Sequence, residues 1–369
     1  MRLSKRLFAF TIIELLVSMS IVMVLLVVLF QMVNQTSAIW RYTSGKVEQF
    51  RGARAAFESI TRNVSQATLN TYLDYDRSKD DASKLAYVRQ SELRFLCGPA
   101  TKLLDQGVAD GAKVVSQAIF FQAPLGFVQS FGTDGKPSKY YGLDNLLNSW
   151  GYFVKQGDDS QLRPDILGAL VPTKTRYRLM EFMQSSDRMT LYAYTSPPKT
   201  LAGTAQWQNF TDAARVDAQA KYRDYNKYEW FATPISQETA GQQCTHVLAE
   251  NVVALIFQPK LTKEDEDLMG ILSKDYEYNS ALPGGKGMLS MKNQLPPVVK
   301  VTMVAIDEES AARLQRSGDS DLKVDELFTD VNSYEGDLKI LEDRLLEKNL
   351  KFRVFSTDVT IRGAKWSRN

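Results

Sequence analysis

The chain runs predominantly apolar from Leu7 to Phe30, behind a short basic head of Arg2, Lys5 and Arg6, and with one acid, Glu14, inside the run. From Thr11 to Phe30 there are about 20 residues, roughly 30 Å as a helix, which matches the hydrocarbon core of a bilayer. A secretory signal has a shorter apolar region followed by a small-residue cleavage site. No A-x-A pattern follows here; the chain continues as QMVNQTSAIWRY, a helix passing into water. Positive charge lies only on the N-terminal side, so the head is expected in the cytoplasm and the bulk outside it. A lone carboxylate in such a segment costs on the order of 3 kcal/mol and usually marks function. The bland alternative is a glutamate near enough to the surface to reach headgroups.

The string Ala9-Phe10-Thr11-Ile12-Ile13-Glu14-Leu15-Leu16-Val17 resembles the class III leader of type IV prepilins and type II secretion pseudopilins. That family is cut before a phenylalanine and carries glutamate as its fifth mature residue, the place Glu14 holds when Phe10 is counted first. The resemblance implies cleavage between Ala9 and Phe10 by a prepilin peptidase, methylation of the Phe10 amine, and assembly with other pilin or pseudopilin subunits on an assembly platform. Glu14 would then offset the charged amino terminus of a neighbour inside an apolar fibre core, where a paired charge is tolerated and an unpaired one is not. Ala9 departs from the glycine usual before the cut.

Removal of residues 1–9 takes away Arg2, Lys5 and Arg6, leaving 42 basic against 43 acidic residues. A nearly neutral mature chain has no electrostatic footprint for nucleic acid. In an oxidising periplasm Cys97 and Cys244 could pair in a disulfide, but two buried free thiols are the preferred reading. His246, the sole histidine, offers little for a metal site or a histidine relay.

Beyond Phe30, Trp40, Val47, Phe50, Phe57, Ile60 and Val64 recur at helical spacing, with Arg51, Arg54, Glu58 and Arg62 suited to a solvated face. One helix is therefore expected from about Phe10 to about Leu69. It divides into a transmembrane and fibre-core part (10–33) and an amphipathic stalk and spine (34–70). A globular domain, 71–369, follows in the periplasm. Within it, 70–90 reads as loop, and strands are expected at 91–99, 118–127, 150–157, 176–184 and 189–194. Asp134-Gly135 is a turn signal. Residues 199–243 break the pattern and read as an insertion, with Tyr222, Tyr225 and Tyr228 either packed or forming a contact patch. A long apolar strand is expected at 246–261, a strand running into a helical turn at 295–314, an amphipathic helix at 331–349, and a final strand or hairpin at 352–366. The expected class is α+β: a pilin-like long N-terminal helix on a large, mainly antiparallel β domain with inserted helices.

Glu250-Asn251-Val252, Leu295-Pro296-Pro297-Val298-Val299 and the terminal strand ending at Trp366 resemble the end of the large minor pseudopilins of the J class. A closer likeness is to the prepilin-like Verru_Chthon cassette protein C family, in ENVVALI, in LPPVVKVTMVAIDEESAARL and in FRVFSTDVTIRGAKW.

The acidic run Lys263 to Asp267 lacks the spacing and central glycine of an EF-hand and reads as a solvated loop. No G-x-S-x-G elbow, P-loop, Rossmann glycine pattern or metal-type Cys/His spacing occurs. No enzyme activity, cofactor or metal is expected. The resulting expectation is a minor pilin or pseudopilin-like subunit in the bacterial inner membrane, N-terminus inward, assembled into a pilus or pseudopilus. Its bulk suits a tip position. A pilin-anchored adhesin or substrate-binding module, or a membrane-tethered enzyme, are the other classes.

Overall fold

A computed structural model describes residues 12–75, 87–127, 141–160, 173–186, 188–191, 228–239, 243–282, 290–318 and 321–366. The chain divides into two units, Met1–Arg51 and Gly52–Asn369. The first contains helix α1 (Ile12–Gln49). Helix α2 (Arg51–Val64) begins after an interruption at Phe50 and belongs, save its first residue, to the second unit.

Along the second unit run β1 (Tyr72–Tyr75), β2 (Tyr87–Gln90), β3 (Leu96–Pro99), α3 (Ala100–Leu103), β4 (Lys113–Gly126), β5 (Leu146–Gly157) and β6 (Arg176–Gln184). Then come α4 (Glu229–Ser236), β7 (Thr245–Glu250), β8 (Val252–Lys260), α5 (Lys263–Met269), β9 (Tyr278–Asn279), β10 (Val298–Ile306), α6 (Glu308–Arg316), α7 (Tyr334–Glu347) and β11 (Phe352–Thr360). The class is α+β, and the strand pairs are antiparallel. A six-stranded sheet has the order β7-β6-β5-β4-β3-β9, a three-stranded sheet the order β11-β10-β8, and β1 pairs with β2 alone.

Two local devices join the larger sheets. In β4 the register against β5 shifts between Val115 and Ile119, and Ser116 takes a φ of 65°. This bulge turns Ser116 and Gln117 towards β8. Ser116 Oγ donates to the Leu255 carbonyl at 2.7 Å and accepts from the Leu255 N–H at 3.0 Å; Gln117 Oε1 accepts from the Phe257 N–H at 2.8 Å. Side chains thus stand where a neighbouring strand would. The second device is Asn251, at φ 62°. Its N–H donates to Tyr177 of β6, while its C=O accepts from Ile306 at the end of β10. One residue therefore ends a strand of one sheet and starts a strand of the other. The single apolar strand expected at 246–261 is two strands, because asparagine tolerates the left-handed conformation the crossing requires.

One face of the six-stranded sheet is closed by α4. Phe120 stacks on Phe231 at 3.7 Å and meets Trp230 edge-on at 6.3 Å, while Phe182 meets Trp230 at 6.5 Å. Gly151, opposite Phe120, leaves room for that ring: a Cβ there would come within 2.2 Å of it. Helix α2 buries Ala53, Ala56, Phe57, Ile60, Asn63 and Val64, one stripe at helical spacing. It touches both sheets, Asn63 meeting Tyr152 of β5 and Phe57 meeting Phe355 of β11. Helix α7 packs on the three-stranded sheet, where Tyr334 Oη lies 2.7 Å from Thr302 Oγ1 and its ring sits under Lys300.

Several expectations need correction. The one helix expected from about Phe10 to about Leu69 is two, α1 and α2, interrupted at Phe50, and α2 ends at Val64 because the Thr68 N–H leaves the helical pattern to bond Gln122 of β4. Residues 70–90 contain β1 and β2. Of the strand expected at 189–194 only residues 189–191 are described; they form no strand, and Met189 and Leu191 are buried. Most of 199–243, including Tyr222 and Tyr225, lies outside the described residues, as does Asp134-Gly135. The described end of that stretch is core: Trp230, Phe231, Ala232 and Ile235 on α4 are all buried. The acidic run is not a loop but the start of α5, where Thr262 caps the Asp265 N–H and acids favour the helix dipole.

Candidate functional site

The feature that most restricts function is α1. Over Leu15–Val33 its mean hydropathy is 2.7 and none of it is buried. Those 19 residues reach ~28 Å at the helical rise. The window contains neither glycine nor proline. It is apolar on every side, unlike α2, which carries one stripe. A surface helix needs an apolar stripe to dock on a core, whereas a helix apolar all round needs cover all round. Its two serine hydroxyls are satisfied internally: Ser18 Oγ donates to the Leu15 carbonyl and Ser20 Oγ to that of Leu16, as an apolar medium demands. One N-terminal helix is therefore long and apolar enough to cross a membrane. Glu14 falls in α1, while Ala9 and Phe10 lie outside the described residues.

A polar chain in the second unit was not visible in the sequence. Asn63 Nδ2 donates to Tyr152 Oη at 2.8 Å, Tyr152 O–H donates to Glu181 Oε1 at 2.8 Å, and His246 Nε2 lies 2.6 Å from Glu181 Oε2. Asn63, Tyr152 and Glu181 are buried, and the His246 side chain is 54% exposed. The chain ties α2 to β5, β6 and β7 and ends at the surface. The hydrogen bond to Glu181 raises the His246 pKa above its ordinary value, aided by the charges of Glu181 and Glu238 and opposed by partial burial. Asn63 inside the apolar stripe of α2 and Glu181 inside the apolar run of β6 are the signals that could have found it.

Cys97 and Cys244 are free thiols. Cys97 lies on β3, and the Cys244 carbonyl accepts from Met183 of β6, on the β7 side. Four inter-strand steps separate β3 from β7, ~19 Å at the usual spacing, far beyond the ~7 Å limit for a bridge. The candidate disulfide is therefore not formed. Burial raises both thiol pKa values, that of Cys244 to about 12, so neither is a ready nucleophile.

A cleft of about 450 Å³ opens beside α4 over Phe153, Met180 and Val247. Lys155 on its wall is held by Asp110 at 2.7 Å. Glu238 accepts from the N–H groups of Cys244 and Thr245 and from the Thr245 hydroxyl. These polar groups are committed to one another. Among the described residues no cluster of three or more His, Cys, Asp or Glu is arranged to hold a metal. Arg176 and Arg178, both buried at the start of β6, are likewise occupied: Arg176 by Glu308 and Gln315, Arg178 by the carbonyls of Gly157 and Asp158. No protein-family model, curated protein or solved structure matches this chain.

Proposed function

We infer that this chain is a prepilin-like subunit whose N-terminal helix serves first as a membrane anchor and then as part of a fibre core. The observation carrying the reading is α1, apolar on every side and without any buried surface over Leu15–Val33, directly behind Ala9-Phe10 and containing Glu14. Arg2, Lys5 and Arg6 hold the leader on the cytoplasmic side. A prepilin peptidase cuts between Ala9 and Phe10, and the new amine is methylated. In the bilayer, lipid covers α1; in a fibre, the apolar helices of neighbouring subunits cover it. Glu14 sets the register of that exchange, because a carboxylate leaving the lipid surface requires a cationic partner, and the Phe10 amine of a neighbour supplies one. The second unit, carried on α2 in the periplasm, is the part a pilus or pseudopilus displays, and its bulk suits a rare subunit at the tip.

The test is Glu14→Val, expressed with the partner subunits and a prepilin peptidase. The variant is expected to be cut normally and to be lost from the sheared fibre fraction. Incorporation equal to wild type would remove the pairing role assigned to Glu14.

A further inference from the structure

The sheet edges of the second unit are treated unequally. On the six-stranded sheet, β9 at one edge has two residues, and β7 at the other is short, with its register against β6 broken at Leu179/Met180. On the three-stranded sheet, the β8 edge is covered by the Ser116 and Gln117 side chains, and its pairing with β10 is bulged at Val304/Ala305. Short length, bulges and cover are the usual devices that stop edges from pairing. Over Phe352–Thr360 strand β11 is neither short, bulged nor covered by any described residue; cover begins only beyond it, where the Arg362 N–H donates to the Ser65 carbonyl. Its nine residues pair with β10 without a break in register, and its charges are single, Arg353 and Asp358, with neither proline nor lysine.

Hydrogen bonds flanking the strand show which of its groups face outward. The Asp307 N–H donates to the Lys351 carbonyl and the Ile361 N–H to the Pro297 carbonyl, both in register with the β10–β11 ladder. Odd-numbered residues of β11 therefore bond β10. Antiparallel pairing alternates, so Phe352, Val354, Ser356, Asp358 and Thr360 turn their N–H and C=O away from β10. Among the described residues nothing bonds these groups, and Ser356, Asp358 and Thr360 are exposed.

We propose that this edge pairs with the same edge of a second copy, joining two three-stranded sheets into one antiparallel sheet. The strand is self-complementary in the register that uses its whole length. Ser356 then lies opposite its own mate, Val354 opposite Asp358, and Phe352 opposite Thr360. These are all outward-facing residues, so every outward N–H and C=O finds a partner. In the alternate rows Arg353 meets Val359 and Phe355 meets Thr357. No like charges stand opposite each other, and the aromatic–β-branched pair is a favourable one. A two-fold axis at Ser356, perpendicular to the sheet, relates the copies, the commonest symmetry of a homo-oligomer. This inference does not depend on the prepilin reading.

The test is site-specific crosslinking of the full chain in detergent micelles, with Cys244→Ser as background. Ser356→Cys places two thiols on facing Cα atoms about 5.5 Å apart, within bridging range. Thr360→Cys places them at opposite ends of the paired strands, ~27 Å apart. Mild oxidation is expected to give at least about tenfold more dimer for Ser356→Cys than for Thr360→Cys, since bridging fails beyond ~7 Å. Adding Asp358→Pro to Ser356→Cys removes one outward N–H, leaves the bond to β10 untouched, and is expected to abolish the dimer. The proposal is overturned if Ser356→Cys stays monomeric, if Thr360→Cys crosslinks equally, if Asp358→Pro has no effect, or if Ser356→Cys is captured only by a different protein.

Discussion

Replacing Tyr152 by phenylalanine removes a single oxygen from the centre of the second unit. The ring is fully buried and lies 6.4 Å from that of Phe121, so its packing is retained. The lost oxygen accepts from Asn63 Nδ2 and donates to Glu181 Oε1, both at 2.8 Å. Afterwards a buried amide N–H and a buried carboxylate oxygen each lack that partner. A neutral hydrogen bond is worth about 1 kcal/mol net and one to a charged group about 1.5–3 kcal/mol, so the expected loss is about 3 kcal/mol. At a urea slope of ~3 kcal/mol per molar, suited to a large unit, the unfolding midpoint of a fragment starting at Gly52 should fall by ~1 M. Circular dichroism and tryptophan fluorescence should report the same transition. A fall of less than ~0.3 M would refute the claim that this oxygen holds α2 on the sheet, because even one orphaned buried group costs about 1 kcal/mol.

The pH dependence follows from the same chain. The His246 pKa is raised chiefly by its hydrogen bond to Glu181, so its stabilising contribution is fully present below the unfolded value and is lost as pH rises through the raised folded one. Wild type should therefore exceed His246→Gln in stability by more at about pH 5.5 than at about pH 8.5, by a modest amount because the ring is half exposed; an equal difference at both pH values would contradict the assignment. Thr190 Oγ1 donates to the Trp230 carbonyl at 2.5 Å, so the chain on either side of 192–227 is tied together. Replacing 192–227 by a few Gly and Ser should leave a folded domain by circular dichroism. Deleting 199–243 should not, since it also removes the buried Trp230 and Phe231, each worth about 3–5 kcal/mol on truncation.

What could be read from the sequence was what local periodicity encodes. The apolar run marked α1, the stripe through Phe57, Ile60 and Val64 marked α2, and 176–184 matches β6 in both bounds. The strand expected to begin after Pro296-Pro297 and run into a helical turn is β10 followed by α6. What stayed hidden depends on partners distant in the chain. An unbroken apolar run at 252–257 does not say that its lead strand belongs to another sheet; only the backbone of Asn251 does. Helix α4 looked like part of an insertion because Trp230 and Phe231 declare themselves core only against Phe120 and Phe182. The Asn63–Tyr152–Glu181–His246 chain joins residues 89, 29 and 65 positions apart, beyond the reach of any spacing rule. The two cysteines looked pairable by compartment and are separated by sheet order.

The central claim is tested most directly at the N-terminus of the mature protein. The full chain should be produced with and without a prepilin peptidase, purified from membranes, and its N-terminal peptide measured by mass spectrometry. The account predicts a chain beginning at Phe10, with a methylated amine, only when the peptidase is present. An intact N-terminus, or a cut anywhere other than between Ala9 and Phe10, would contradict it.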